Sequence, residues 1–255
     1  FLNISCQGMH YSNGVLAKLP IIWGTQEQVN EISMLAETCI KISKCDWDES
    51  ELSWEFKKHP LVSKSLSGEH SVISKRITTF LETLATRKLR LEMNEIRINK
   101  LFAKIYKMEH IMPSKGLCPP TLKDSNTRNE IIGFISYAVG CMFGRYSLDV
   151  EGLAYAGGVW NKNSYTSFLP DRDNMIPLTE KKYVENDMVE RFCEFLKVVY
   201  GENSLEKNLD FIAGALGGKG TSSRGIIRNY FLNGFYKDHC SIYQKRPIYW
   251  LYDSG

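Results

Sequence analysis

Residues 127–149, TRNEIIGFISYAVGCMFGRYSLD, constrain the fold of this chain more than any other stretch. Ile132, Ile135, Val139, Met142 and Phe143 cover several faces of a helix, while Ser136, Gly140 and Gly144 recur every four residues along another. A helix apolar nearly all round has no side to give to water, so it belongs inside a helical bundle. Its small-residue ridge leaves room for a neighbouring helix to close against it, which makes Ser136, Gly140 and Gly144 packing residues. Asn126 or Thr127 can cap the start, and Gly144 stands where a chain leaving a helix needs a positive φ. The stretch from Asn126 to Asp149 therefore reads as one helix at the core of the C-terminal half.

Around this core the helical signal dominates and predicts a mainly α, multi-helical fold, with minor β and turn segments at the two ends. The longest signal runs from about 72 to 108, where Ile77, Phe80, Leu81, Leu84, Leu91, Ile98, Leu101, Phe102 and Ile105 recur at spacings of three, four and seven. A helix of that length extends about 50 Å at 1.5 Å per residue, so it either breaks near Thr86 or forms a coiled-coil-like arm. Thr25 with Gln28 forms a capping box that opens an earlier helix. Further helices are expected at about 187–200, 204–216 and 222–236. Between helices, Trp47 and Trp54 lie seven residues apart on one helical face and are expected to dock their acidic segment on its neighbours.

This pattern divides the chain into the tail end of a domain (1–23), a helical connector with the long helix (24–109), a Pro-rich linker (110–125) and a C-terminal helical domain (126–255). Phe1 in place of an initiator Met, and the strand-like PIYWLYD with no partner after it, lead us to expect a piece of a longer protein.

A net charge of +3 neither demands nor excludes nucleic acid, so the distribution of charge matters more than its sum. Seven scattered cysteines, without a CxxC pair or a signal peptide, fit a reducing cytoplasm and form no zinc pattern; no metal is expected. No apolar run approaches the ~20 residues of a membrane span.

Three short motifs invite enzymatic readings. Gly217-Gly-Lys-Gly-Thr221 lacks the first glycine of a phosphate loop, where Ala213 stands, and reads as a helix-ending turn. Pro170-Asp171 followed by Glu180-Lys181-Lys182 has the letters of a Mg²⁺-dependent nuclease, but without strand alternation around them. Cys118-Pro119-Pro120-Thr121 lacks both the side-chain oxygen and the aromatic of an amino-methyltransferase loop, and no Gly-rich turn for S-adenosylmethionine accompanies it. No catalytic residue is assigned.

Positive charge gathers elsewhere. Between residues 219 and 246, Lys219, Arg224, Arg228, Lys237, Lys245 and Arg246 stand against the single acid Asp238, interleaved with Tyr230, Phe231, Phe235, Tyr236 and Tyr243. On a helix, Ile226, Ile227, Tyr230, Phe231 and Gly234 share a core face while Arg224 and Arg228 project together from another, as a phosphate-contacting helix requires. These six cations are the candidate DNA-binding residues. The long helix adds nine basic residues against four acidic ones between 72 and 109. For the long helix an ordinary solvated face with i, i+4 pairing is the leading explanation, and for the C-terminal cations an ordinary surface helix accounts for the pattern as well as phosphate contact does.

Several strings carry a family resemblance: WDESELSWEFKKHPL, FISYAVGCMFGRYSLD, EGLAYAGG, NLDFIAGALGGKGTSSRGIIRNYF and KRPIYWLYDSG. They resemble the part that follows the catalytic domain in the PglX family of adenine-specific DNA methyltransferases of BREX phage-defence systems. Residues 1–44 resemble the end of a target recognition domain, as type I restriction specificity subunits also close theirs. The resemblance implies a bacterial enzyme that moves a methyl group from S-adenosylmethionine to adenine N6. This piece would hold no cofactor itself and would brace recognition and contribute to binding duplex DNA. Its implied partners are the catalytic domain of the same chain and other BREX proteins. The competing readings are a non-enzymatic interaction scaffold and a Mg²⁺-dependent nuclease at Asp171 and Glu180.

Overall fold

A computed structural model describes residues 13–17, 20–62, 72–111, 121–122, 124–218 and 220–252. The fold is mainly α, and no strand occurs among the described residues. The strand-like end of the chain is therefore corrected: 247–252 is irregular, and Tyr249 stacks on Phe143 and His239, not against a pairing strand. The opening residues 1–12 and most of the Pro-rich linker, with the Pro-Pro pair, lie outside the described residues.

In chain order the helices are α1 (Asn13–Leu16), α2 (Gln26–Asp48), α3 (Ile73–Ile105), α4 (Thr127–Met142), α5 (Met188–Tyr200), α6 (Leu205–Leu216), α7 (Ser223–Tyr230) and α8 (Tyr236–Ile242), with a π-helical turn, Phe231–Phe235, joining the last two. The long helix α3 runs unbroken through Thr86. The chain forms two compact units, one of residues 1–42 and 89–121, the other of 43–88 and 122–255.

In the first unit the capping box forms as expected: the Thr25 amide donates to Gln28 Oε1 at 2.9 Å and the Gln28 amide to Thr25 Oγ1 at 3.3 Å. Arg97 reaches Glu31 at 2.6 Å, and the Tyr106 hydroxyl donates to the Pro20 carbonyl at 2.9 Å. Leu91, Leu101 and Ala103 are its buried side chains among the described residues.

The second unit holds the large core. In α4 every residue from Phe134 to Met142 is buried, as an all-apolar helix demands. Its start is capped by Asn126, whose side chain accepts from the Asn129 amide at 2.9 Å, and its end turns through Gly144 at φ 74°. The helix thus stops at Met142, short of Asp149. Packed on it are α5 and α6, with α7 against both of these. Phe134 meets Phe192, Phe195 and Tyr200 of α5 in edge and tilted ring contacts. His59 packs on Phe134, and full burial pushes its pKa down to about 3, so it is a neutral core imidazole. Asn208 of α6 accepts from the Ile73 amide at 2.9 Å and so caps α3 from a distance.

The small-residue ridge of α4 does not face a helix. A Cβ on Gly140 would stand 2.4 Å from the ring of Tyr146 and 3.2 Å from the Tyr249 hydroxyl; one on Gly144 would stand 2.8 Å from Trp160. Close approach is used, but by aromatic side chains from the segments that follow the helix. The turn at Gly217, φ 67°, ends α6, with its amide donating to the Ala213 carbonyl at 3.2 Å. Ser204 makes no side-chain cap for α6; its hydroxyl turns back to the Tyr200 carbonyl at 2.9 Å.

Candidate functional site

The five described candidate cations divide into three kinds. Arg228 is buried: its guanidinium donates to Asp187 at 2.6 Å and to the Thr179 carbonyl at 3.0 Å. Asp187 is fully buried and also caps α5, accepting from the amides of Val189 and Glu190 at 3.0 Å each. Arg228 is therefore a strut between α7 and the start of α5. Arg224 leaves the surface less completely, held in a two-pronged pair with Glu206 at 2.8 and 2.7 Å. The expectation that Arg224 and Arg228 project together as a phosphate-facing pair is corrected, because partners from α6 and from the residue preceding α5 take both guanidinium groups. Lys237, Lys245 and Arg246 are exposed and make no ion pair among the described residues. Lys219 lies outside the described residues.

What presents Lys245 and Arg246 is a tight turn after α8. Gln244 and Lys245 both have left-handed backbone, φ 52° and 63°. The Lys245 amide donates to the Cys240 carbonyl at 2.7 Å and the Arg246 amide to Tyr243 at 2.9 Å, so the helix end is closed without a glycine.

Trp47 and Trp54 overturn the expectation of docking aromatics. α2 ends at Asp48, so the two do not share a helical face; Trp54 is 101% exposed and Trp47 55%. Phe56 is the aromatic of this segment that packs, edge-on to Tyr137 and Tyr146.

The nuclease letters fall in irregular chain. Asp171 is tied to the amide of Met175 and to Asn186, while Lys182 pairs with Glu190 at 3.2 Å. Among the described residues no group of three or more His, Cys, Asp or Glu is placed to hold a metal ion. No described helix is long and apolar enough to cross a membrane.

Two features were not anticipated. One is a buried polar cluster on the outer side of Gly140. Tyr243 donates to Glu51 Oε2 at 2.8 Å, and Arg145 Nε to the Tyr146 hydroxyl at 3.4 Å. Burial is the main influence on Glu51 and raises its pKa above the ordinary carboxylate range, against the nearby hydroxyls and Arg145 that favour its charge. Glu51 Oε1, Ser136 Oγ and the Tyr249 hydroxyl are buried without a hydrogen-bond partner among the described residues.

The other is a cleft of about 610 Å³ that shares Arg145 and Tyr249 with this cluster. Phe143, Phe231, Phe235, Trp250 and Tyr252 give it aromatic walls. A π-helical turn takes more than four residues, so Phe231 and Phe235, with Tyr236, share its side of the helix. Nothing in the spacing of FLNGF marks such a turn. The aromatic interleaving of the C-terminal segment was visible in sequence, but its convergence on one cavity depended on long-range packing.

No protein-family model matches the chain. Over 260 residues, covering 100% of this chain, it is 36% identical to the adenine-specific methyltransferase PglX of Lacticaseibacillus casei (strain Zhang). Over 282 residues, covering 99%, it is 33% identical to the adenine-specific methyltransferase BrxX of Escherichia coli O9:H4 (strain HS). The resemblance to PglX carried by the five quoted strings thus extends along the full chain. The chain spans 21% and 23% of the lengths of these curated relatives.

Proposed function

We propose that this chain is a non-catalytic segment of a bacterial adenine-specific DNA methyltransferase, bracing target recognition and helping to hold duplex DNA by its backbone. The full-length similarity to PglX and BrxX carries the reading. S-adenosylmethionine belongs to the parent enzyme, whose catalytic domain is the partner of this segment. Of the six cations, Lys237, Lys245 and Arg246 are the ones free to meet phosphate, since Arg224 and Arg228 are committed to carboxylates. Phosphate contacts position a protein on DNA without reading sequence, so the segment contributes affinity and register, not specificity.

The test is duplex binding by the chain across a salt series. Affinity should fall steeply with salt, and changing Lys237, Lys245 and Arg246 together to Gln should weaken binding and flatten the logarithmic slope by about 0.9 per lost phosphate contact. Salt-insensitive binding, or a slope unmoved in the triple variant, defeats the DNA-holding role.

Full exposure of Trp54 and half-exposure of Trp47 favour a second reading, in which the surface of the segment that carries them docks another BREX protein. Capture of a BREX component that is lost on changing both tryptophans to Ser would support it, and capture unaffected by that change would exclude this surface.

A further inference from the structure

The aromatic cleft beside Arg145 takes no part in the phosphate contacts proposed above. Its volume, about 610 Å³, suits a small molecule, for which sites usually measure roughly 300–1,000 Å³. Phe143, Phe231, Phe235, Tyr249, Trp250 and Tyr252 line it with aromatic side chains, and Phe143 already stacks on Tyr249 with centroids 5.0 Å apart. Flat rings are what such walls hold best.

Arg145 supplies the polar end. It is half-buried, lies 5.5 Å over the Tyr146 ring, and has as its described side-chain partner only the Tyr146 hydroxyl at 3.4 Å. The groups that surround it are Tyr146, Tyr243, Tyr249 and His239, together with Glu51. The tyrosines are neutral near pH 7, burial lowers the pKa of His239, and Glu51 makes no ion pair with the guanidinium. The positive charge is thus partly removed from water without a contacting carboxylate; the tyrosines around it hold its pKa up against burial, and an anion would add the charge-assisted contact they do not supply. A π-helical turn contributing Phe231 and Phe235 to the wall is a third sign, because such turns concentrate at functional sites.

We propose that this cleft binds a planar aromatic ring bearing one carboxylate or phosphate, with the ring against the aromatic walls and the anionic group on the Arg145 guanidinium. Adenosine 5′-monophosphate and indole-3-acetate probe the two anionic forms; adenosine and tryptamine are their neutral and cationic counterparts. Each is titrated into the 255-residue chain by calorimetry and by saturation-transfer NMR. At least one anion should bind at millimolar concentration or below, with its counterpart about tenfold weaker or more, the worth of one charge-assisted contact. Binding of the phosphate alone assigns a nucleotide-like ligand, and of the carboxylate alone an aromatic acid. Arg145→Gln should erase the preference for the anion. Met175→Trp, on an exposed side chain at the cleft, should block all binding while leaving the thermal midpoint in place. No binding by either anion, equal binding by the counterparts, or indifference to Met175→Trp in a folded variant overturns the proposal.

Discussion

Arg224 and Arg228 are four residues apart, yet they occupy different electrostatic worlds. The Arg224 side chain is 41% exposed beside a Glu206 that is more exposed still, so its pair is screened by water. Arg228 is 11% exposed beside a carboxylate with none of its surface in water. Removing one member of a buried pair leaves the other charge stranded, which costs about 3–5 kcal/mol. Arg228→Ala should therefore lower stability by about that much in urea unfolding, while Arg224→Ala should cost under about 1 kcal/mol. Comparable losses in the two variants would show that Asp187 is solvated or otherwise compensated. The i, i+4 spacing was legible in the sequence; the destination of each side chain was not, because Asp187 lies 41 residues from Arg228 and meets it only through packing. Trp47 and Trp54 failed for the same reason: an aromatic's burial depends on what arrives opposite it, and nothing described arrives opposite Trp54.

α4 shows what periodicity can and cannot deliver for a whole element. Its burial on every face, its Asn126 cap and the positive φ at Gly144 follow from local chemistry, and all three were readable. The identity of the neighbour on the ridge was not. A bare ridge accommodates a helix backbone or an aromatic ring equally well, and here Tyr146 stacks on Tyr137 of α4 itself with centroids 5.1 Å apart, lying over Gly140. The added Cβ of Gly140→Ala would enter that ring at 2.4 Å, too close for a small adjustment, and both rings are fully buried. We expect a loss of about 1–3 kcal/mol from overpacking, exceeding the slight gain in helix propensity. Urea denaturation checks it. Unchanged or increased stability would mean that Tyr146 moves away freely and that the ridge is not a closed contact.

Across the whole molecule the apolar residues are spread unequally between the two units. The core of the second draws on α4, α5, α6 and α7 as well as Phe56 and Leu61, whereas α2 has no buried residue along its 23 residues. Met34, Ile40, Leu89, Met93 and Phe102 of the first unit are all more than 40% exposed. The mainly α class was legible because it is a sum of local preferences, but this partition is set by contacts far apart in sequence, and the helical pattern of α2 and α3 gave no hint that so many apolar positions would stay open. Local opening free energy follows the apolar contact a segment would lose, so each unit should report its own stability. Amide hydrogen exchange of the isolated chain should show α4, α5 and α6 opening near the global free energy, with 26–42 and 92–105 lower by about 2 kcal/mol or more. Partial unfolding of that kind leaves the core, the Arg228 strut and the cleft intact, so ligand binding at Arg145 should persist under mild urea after exchange in 26–42 has become fast. Uniform protection across both sets of helices would mean that the chain opens as one cooperative body and that the exposed side chains of α2 and α3 do not weaken them.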